Sequence, residues 1–217
     1  MNPIPTWLII DTSGRQGRLA LADEQGIRVE ARLDDQRRHA RDLTGTIQTL
    51  TEQLGIAVAQ LAGVMVSIGP GSYTGLRVGV ISAKVLAYAT GCRLIGVPTF
   101  EAIAQRHAHE PVVEVIGDAQ QKRVYYQRFE QGQSGSLSIL SHAEWLQKHH
   151  PEALVTGPGV VLFEAEWPDT IRRTPQPECD ARCEDYWSLR DRQTDADGWT
   201  LEPIYLRGSY AEEQAKK

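Results

Sequence analysis

The run Ser67-Ile68-Gly69-Pro70-Gly71-Ser72-Tyr73-Thr74-Gly75-Leu76-Arg77-Val78-Gly79 constrains the fold more than any other stretch of the chain. An apolar, strand-like segment, Gly63 to Val66, precedes it, and Val80 to Ala89 reads as helix. Strand, glycine-rich turn, helix is the α/β arrangement that presents backbone N–H groups to an anion at a helix N-terminus. The spacing departs from both phosphate-loop templates. The Walker pattern places four residues between its glycines and continues with Lys and Ser or Thr, whereas five residues separate Gly69 from Gly75 and Leu76-Arg77 follow. The dinucleotide fingerprint needs G-x-G-x-x-G and an acidic residue ending the next strand. This run is G-x-G-x-x-x-G, and its next strand, Arg93 to Val97, ends in valine. On spacing it reads as a tight turn at Pro70-Gly71, a helix cap from Ser72 or Thr74, and a Gly79 that permits close packing.

From Leu76 to Ala89 only Arg77 and Lys84 are charged, and apolar or small residues occupy every face. Such a helix is covered on more than one side. One side packs on a sheet. The other needs a second element of the chain or a second protein, and Gly79, Ser82, Ala83 and Ala87 are small enough for close helix–helix approach.

At 217 residues and 41% hydrophobic content there is room for one large or two small domains with real cores. No apolar run approaches the ~20 residues of a membrane span, and Met1 to Thr6 lacks the basic and apolar regions of a signal peptide. A net charge of −5 gives no general attraction to nucleic acid. Three cysteines, an odd number, do not make a disulfide framework. These features read as a cytoplasmic chain with no membrane contact.

The element order carries the fold class. Trp7 to Ile10 is a short buried strand ending at Asp11-Thr12-Ser13, and Gly17 to Ala22 and Ile27 to Leu33 are strands joined by a turn at Asp23 to Gly26. His39 to Leu54 carries a helical stripe at Leu43, Ile47, Leu50 and Leu54. The Val64 strand, the apolar helix, the Leu94 strand and a helix from Thr99 to His107 follow. Three meandering strands and then alternating helix and strand is the order of a ribonuclease-H-like domain, with a mixed sheet. A second half begins alike, with a strand from Val112 to Ile116 reaching Asp118-Ala119, a strand from Val124 to Phe129, a third from Leu137 to Leu140, a helix from His142 to His149 and a strand from Ala153 to Val155. The expected division is 1–108 and 109–217. An aspartate at each strand end, Asp11 and Asp118, either holds metal and phosphate in a cleft or serves its own turn.

Several of these segments resemble the signature of the TsaB (YeaZ) family: Gly69 to Gly79, Ile9-Ile10-Asp11-Thr12-Ser13, His39, Ile95 to Thr99, Asp118-Ala119 with Val124-Tyr125, and the closing Glu202-Pro203-Ile204-Tyr205-Leu206-Arg207. Gln120, Ala40 and Arg41 depart from the family pattern, and 164–199 shows little of the helix that usually precedes the closing motif. The resemblance implies an α/β fold of two ribonuclease-H-like halves of the actin-like ATPase (ASKHA) superfamily, the second abbreviated. It implies a non-catalytic subunit without a cofactor of its own. Such a subunit pairs with the catalytic TsaD, which transfers a threonylcarbamoyl group to adenosine 37 of tRNA, and the ATPase TsaE docks on the pair. tRNA is reached only through that complex, and the same helical surface makes a homodimer when the chain is alone. The wider family has also carried the name M22 peptidase.

On this reading the partner surface comprises His39, Leu43, Ile47 and Leu50 of the first helix with Ser72, Thr74, Arg77, Val78, Ser82 and Leu86 of the apolar helix. The competing reading is an autonomous ATP-using enzyme or M22-type peptidase, with Asp11, Thr12 and Asp118 holding a cofactor or metal between the halves. No pair among the six histidines has the H-x-x-x-H spacing of a metal helix. Cys179 and Cys183 are spaced to share a helix face, but no second ligand pair accompanies them. His149-His150 before Pro151 read as a solvated helix end, as do His107 and His109. Arg32, Arg37, Arg38 and Arg41 are solvated surface or a small patch for tRNA. The mixed-charge stretch Asp180 to Asp197 reads as a solvated segment whose aromatics touch the core, or as a docking strip.

Overall fold

The computed structural model describes residues 4–33, 39–175 and 178–206, with the backbone alone for 39–41. The chain divides into two compact units. Residues up to Ala102 are joined by Ala181–Pro203 in the first, and Ile103–Asp180 form the body of the second. No helix among the described residues is long and apolar enough to cross a membrane.

In the first unit β1 (Trp7–Asp11), β2 (Arg18–Asp23) and β3 (Gly26–Arg32) form an antiparallel meander, followed by α1 (His39–Gln53), β4 (Gly63–Gly69), α2 (Tyr73–Thr90), β5 (Arg93–Pro98) and α3 (Thr99–Arg106). The sheet order is β3-β2-β1-β4-β5, with β4 parallel to both β1 and β5. β1 is central, covered on both faces, and all five of its residues are buried, as its unbroken apolar run requires. β3, at the edge, has exposed residues at alternate positions. Between β2 and β3 the Asp23 carboxylate accepts from Gln25 N at 2.9 Å, and Gly26 takes φ +102°. The stripe of α1 closes one face, with Leu43, Ile47 and Leu50 buried among Leu8, Ile10, Leu19, Leu21, Val64 and Val66.

The second unit contains β6 (Val112–Asp118), β7 (Arg123–Glu130), β8 (Gln133–Ser134), β9 (Ser138–Ser141), α4 (His142–Lys148), β10 (Leu154–Thr156) and the short α5 (Val160–Phe163). β6 pairs antiparallel with β7 and parallel with β10, while β9 pairs with β7. The path β9-β7-β6-β10 repeats β3-β2-β1-β4, and in the place of β5 the described residues form only a single parallel bridge, Val155 to Arg173. This is the abbreviated second ribonuclease-H-like half.

The sequence reading differs from the fold at the segment after Asp180. The expected division places 109–217 in the second half, and Asp180 to Asp197 reads as a solvated segment whose aromatics touch the core, or as a docking strip. Ala181–Pro203 instead belongs to the first unit. Within it α6 (Cys183–Ser188) packs on β1, β2 and β3, burying Cys183, Asp185 and Tyr186. The physical reason lies in hidden local signals. Asp185 turns back to accept from Arg182 N at 2.8 Å, fixing the helix start, and Tyr186 and Leu189 supply apolar area within a charged stretch. The expectation that the aromatics touch the core does hold for Tyr186.

His149 is likewise no solvated terminus. Glu114 is wholly buried on β6, and its carboxylate accepts from the Tyr126 hydroxyl (3.1 Å), Arg128 Nε and Nη2 (3.2 and 3.0 Å) and His150 N (3.0 Å). His149 Nδ1 lies 2.9 Å from its other oxygen. One carboxylate thus ties β6, β7 and the end of α4 together. Glu114→Ala leaves Arg128 only the exposed Glu130 at 3.6 Å as counter-charge and strips the Tyr126 hydroxyl and the His149 ring of their buried acceptor, and should cost about 3–5 kcal/mol of unfolding free energy in a urea titration. Tyr126→Phe, which loses one neutral donor, should cost about 0.5–1.5 kcal/mol. Burial, then the charge of Glu114, pushes the Tyr126 phenol up to about 12. The fold therefore favours the neutral phenol. Its contribution is complete below the ordinary tyrosine value of about 10 and is lost as pH rises toward 12. Stability should fall more steeply over that window in the wild type than in Tyr126→Phe.

Candidate functional site

Two backbone donors of the glycine turn, Ser72 N and Gly75 N, are met within the chain. Ser72 N donates to Ser13 O at 2.7 Å, and the Ser72 hydroxyl caps α2 by accepting from Gly75 N at 3.2 Å. Thr12 is fully buried beneath the helix start, donating from N to Ser67 Oγ (3.3 Å) and from Oγ1 to Gly75 O (2.8 Å). Glycine is demanded by proximity. A Cβ on Gly75 would stand 2.1 Å from Thr12 O, and one on Gly79 would stand 2.2 Å from Thr12 Oγ1. The expected Ser72 cap and close packing at Gly79 are both present, and the run works as a seat that lowers α2 onto the end of β1.

The strand-end aspartates lie in different units. Asp11 is buried, and its Oδ1 accepts from Ser13 N (2.9 Å) and Ser13 Oγ (2.7 Å). The Tyr186 hydroxyl of α6 faces Asp11, Ser13 and Thr99. Burial first, then the Asp11 charge, raises that phenol well above its ordinary value. Sequence reasoning missed Tyr186 because the 174 residues between it and Asp11 carry no local sign of the contact, yet it covers Asp11 in the fold.

 Asp118, in the second unit, is exposed and accepts from Gln120 N at 2.6 Å, holding the turn in which Gln120, Gln121 and Lys122 take positive φ. Cys179 and Cys183 do not share a helix face. Cys179 lies in a turn with its thiol on Thr174 O at 3.2 Å, Cys183 opens α6, and burial raises both thiols, Cys179 to about 11. No group of three metal-binding side chains gathers among the described residues.

α2 divides into two faces. Gly75, Leu76, Gly79, Val80 and Ala83 are buried against the sheet. On the other side Ile81 is 54% exposed, Val85 61% and Tyr88 83%. Their spacing of four and three places them in one stripe, continued toward the helix start by exposed Arg77 and Thr74. Of the predicted contact positions, Ser72, Thr74 and Arg77 are exposed and Val78, Ser82 and Leu86 half-buried along the margin. Leu43, Ile47 and Leu50 require correction: the fold turns them into the core, where their own sheet accounts for the apolar stripe of α1. The side chain of His39 lies outside the described residues, as do Arg37 and Arg38. Sequence reading missed Ile81, Val85 and Tyr88, because a helix apolar all round does not reveal which side the sheet takes.

The seat under α2 gives a direct test. Gly75→Ala drives a methyl into a backbone oxygen and should cost about 1–3 kcal/mol or more in chemical denaturation. Gly79→Ala meets only a side chain, so its cost should shrink in a Thr12→Ala background while that of Gly75→Ala persists.

The chain is similar to known proteins in sequence and in fold. Residues 33–154 match the family model of TsaD, tRNA N6-adenosine threonylcarbamoyltransferase. The chain is 31% identical over 121 residues to the tRNA threonylcarbamoyladenosine biosynthesis protein TsaB of Bacillus subtilis, covering 55% of this chain and 53% of that protein. It thus spans about half the length of the curated relatives it matches. Among solved structures, YeaZ from Pseudomonas aeruginosa superposes with a TM-score of 0.75 at 23% identity, covering 94% of this chain and all of that one. A protein of actin-like ATPase fold from Bacteroides thetaiotaomicron superposes with a TM-score of 0.50 at 9% identity, over 85% of this chain and 95% of that one. These two likenesses establish the fold.

Proposed function

The chain belongs to the TsaB (YeaZ) family, and on that premise we propose that it is a non-catalytic subunit in the synthesis of threonylcarbamoyladenosine in tRNA. It pairs with a TsaD-type transferase through the outer face of α2. The observation that carries this reading is the stripe Ile81, Val85 and Tyr88, three large apolar side chains left to water on a helix whose other face is rigidly seated. Burying one such side chain contributes about 1.5–3 kcal/mol, so a partner helix laid along the stripe gains enough to hold a complex.

The match to the transferase family spans α1 and α2, so chain and partner would offer related helices to one another, the geometry of an isologous pair. The same face would pair two copies when the transferase is absent. A TsaE-type ATPase would join the assembled pair, and tRNA would be met there rather than by this chain, whose net charge is −5. The spent hydrogen bonds of Asp11 and Thr12, with Tyr186 over the former, support a scaffolding role over an autonomous one.

Mixing the purified chain with the TsaD-type subunit of the same organism, scored by complex mass and by modification of tRNA, tests the proposal. Val85→Glu should abolish the complex and the modification while leaving the monomer's thermal unfolding unchanged, since Val85 is mostly exposed. Normal pairing of Val85→Glu would refute the surface, and modification that proceeds equally without this chain would refute the role.

A further inference from the structure

Beyond α6 the first unit carries a strap whose bonds serve no catalytic or core purpose already described. Ala196 N donates to Leu94 O at 2.7 Å, extending the edge of β5, and Arg93 holds Asp195 through Nε at 2.9 and 3.0 Å. Asp197 then folds the chain into a tight turn. Its carbonyl accepts from Thr200 N and Leu201 N, and its carboxylate from Trp199 N at 2.9 Å. The Lys84 ammonium on α2 donates to Leu201 O at 3.1 Å and Trp199 O at 3.4 Å. The result is an indole fixed by its backbone yet 83% exposed, meeting the equally exposed Tyr88 ring edge-on with centroids 6.2 Å apart.

We infer that Trp199 is an aromatic anchor of the α2 surface for the TsaD-type subunit and that Lys84 is its positioning residue. The inference rests on the reading of α2 given above. Trp199 continues the Ile81–Val85–Tyr88 stripe through Tyr88. A tryptophan at the margin of an apolar helix face is the residue type that concentrates binding energy, and its ordering has been met within the chain before association. The strap lies outside residues 33–154, the stretch shared with the transferase family. The shared helices would give the pairing its geometry, and the strap would mark one side of an otherwise related pair. The cognate surface is an apolar pocket on the transferase, large enough for an indole.

The test compares Trp199→Ala, Lys84→Met, Lys84→Arg and Val85→Glu for affinity to the TsaD-type subunit, with thermal unfolding and hydrogen exchange over 196–201 measured on each free chain. Trp199→Ala should weaken pairing about 30-fold with unchanged unfolding. Lys84→Met should weaken it about 5-fold and speed exchange across the strap, and Lys84→Arg should restore both. Unchanged affinity for Trp199→Ala, with pairing lost in Val85→Glu, would overturn the anchor and leave the α2 reading standing. Unchanged affinity for both would overturn the two together. Faster exchange in Lys84→Met at unchanged affinity would reduce Lys84 to a structural tie and refute its positioning role.

Discussion

The contact between Thr12 at the end of β1 and the glycines of α2 sets the height and direction of that helix, and much of the first unit follows from it. Gly75 and Gly79 leave no room for a side chain against Thr12, and Thr12 spends its hydroxyl on Gly75 O. The helix is fixed by backbone proximity as well as by apolar packing. Its Leu76, Val80 and Ala83 side necessarily enters the core, and its Ile81, Val85 and Tyr88 side is necessarily presented outward.

The same contact changes the meaning of a sequence that looks built for phosphate. In a phosphate loop, glycines let backbone N–H groups approach a ligand. Here the N–H groups at Ser72 and Gly75 are met by Ser13 O and Ser72 Oγ, and the glycines admit a neighbouring strand. The donor geometry of an α/β nucleotide fold has become a joint between two of its own elements, and the exposed helix face becomes the chemically conspicuous surface.

Apart from the two-residue β8, the elements through β10 were legible because their signals are local: period-two and period-3.6 patterns, turn residues at Asp23 to Gly26, and strand-ending aspartates. The repeat of the first sheet order in the second could also be read from element succession. What escaped depends on distance along the chain. Charged residues around Tyr186 mask a helix whose burial is decided by β1, β2 and β3, and nothing near Trp199 announces Lys84 or Tyr88 as its neighbours. Periodicity identified α1 as amphipathic but could not say that Leu43, Ile47 and Leu50 satisfy their own sheet. For α2, apolar on all sides, it could not separate the seated face from the free one.

Side-chain footprinting of the chain alone and with the TsaD-type subunit tests the central claim most directly, because it reads which surface becomes covered without altering any residue. The account predicts that Ile81, Val85 and Tyr88 lose reactivity on complex formation, while exposed apolar side chains of the second unit, such as Leu146 and Val161, keep theirs. A complex that leaves the α2 stripe as reactive as in the free chain would contradict it.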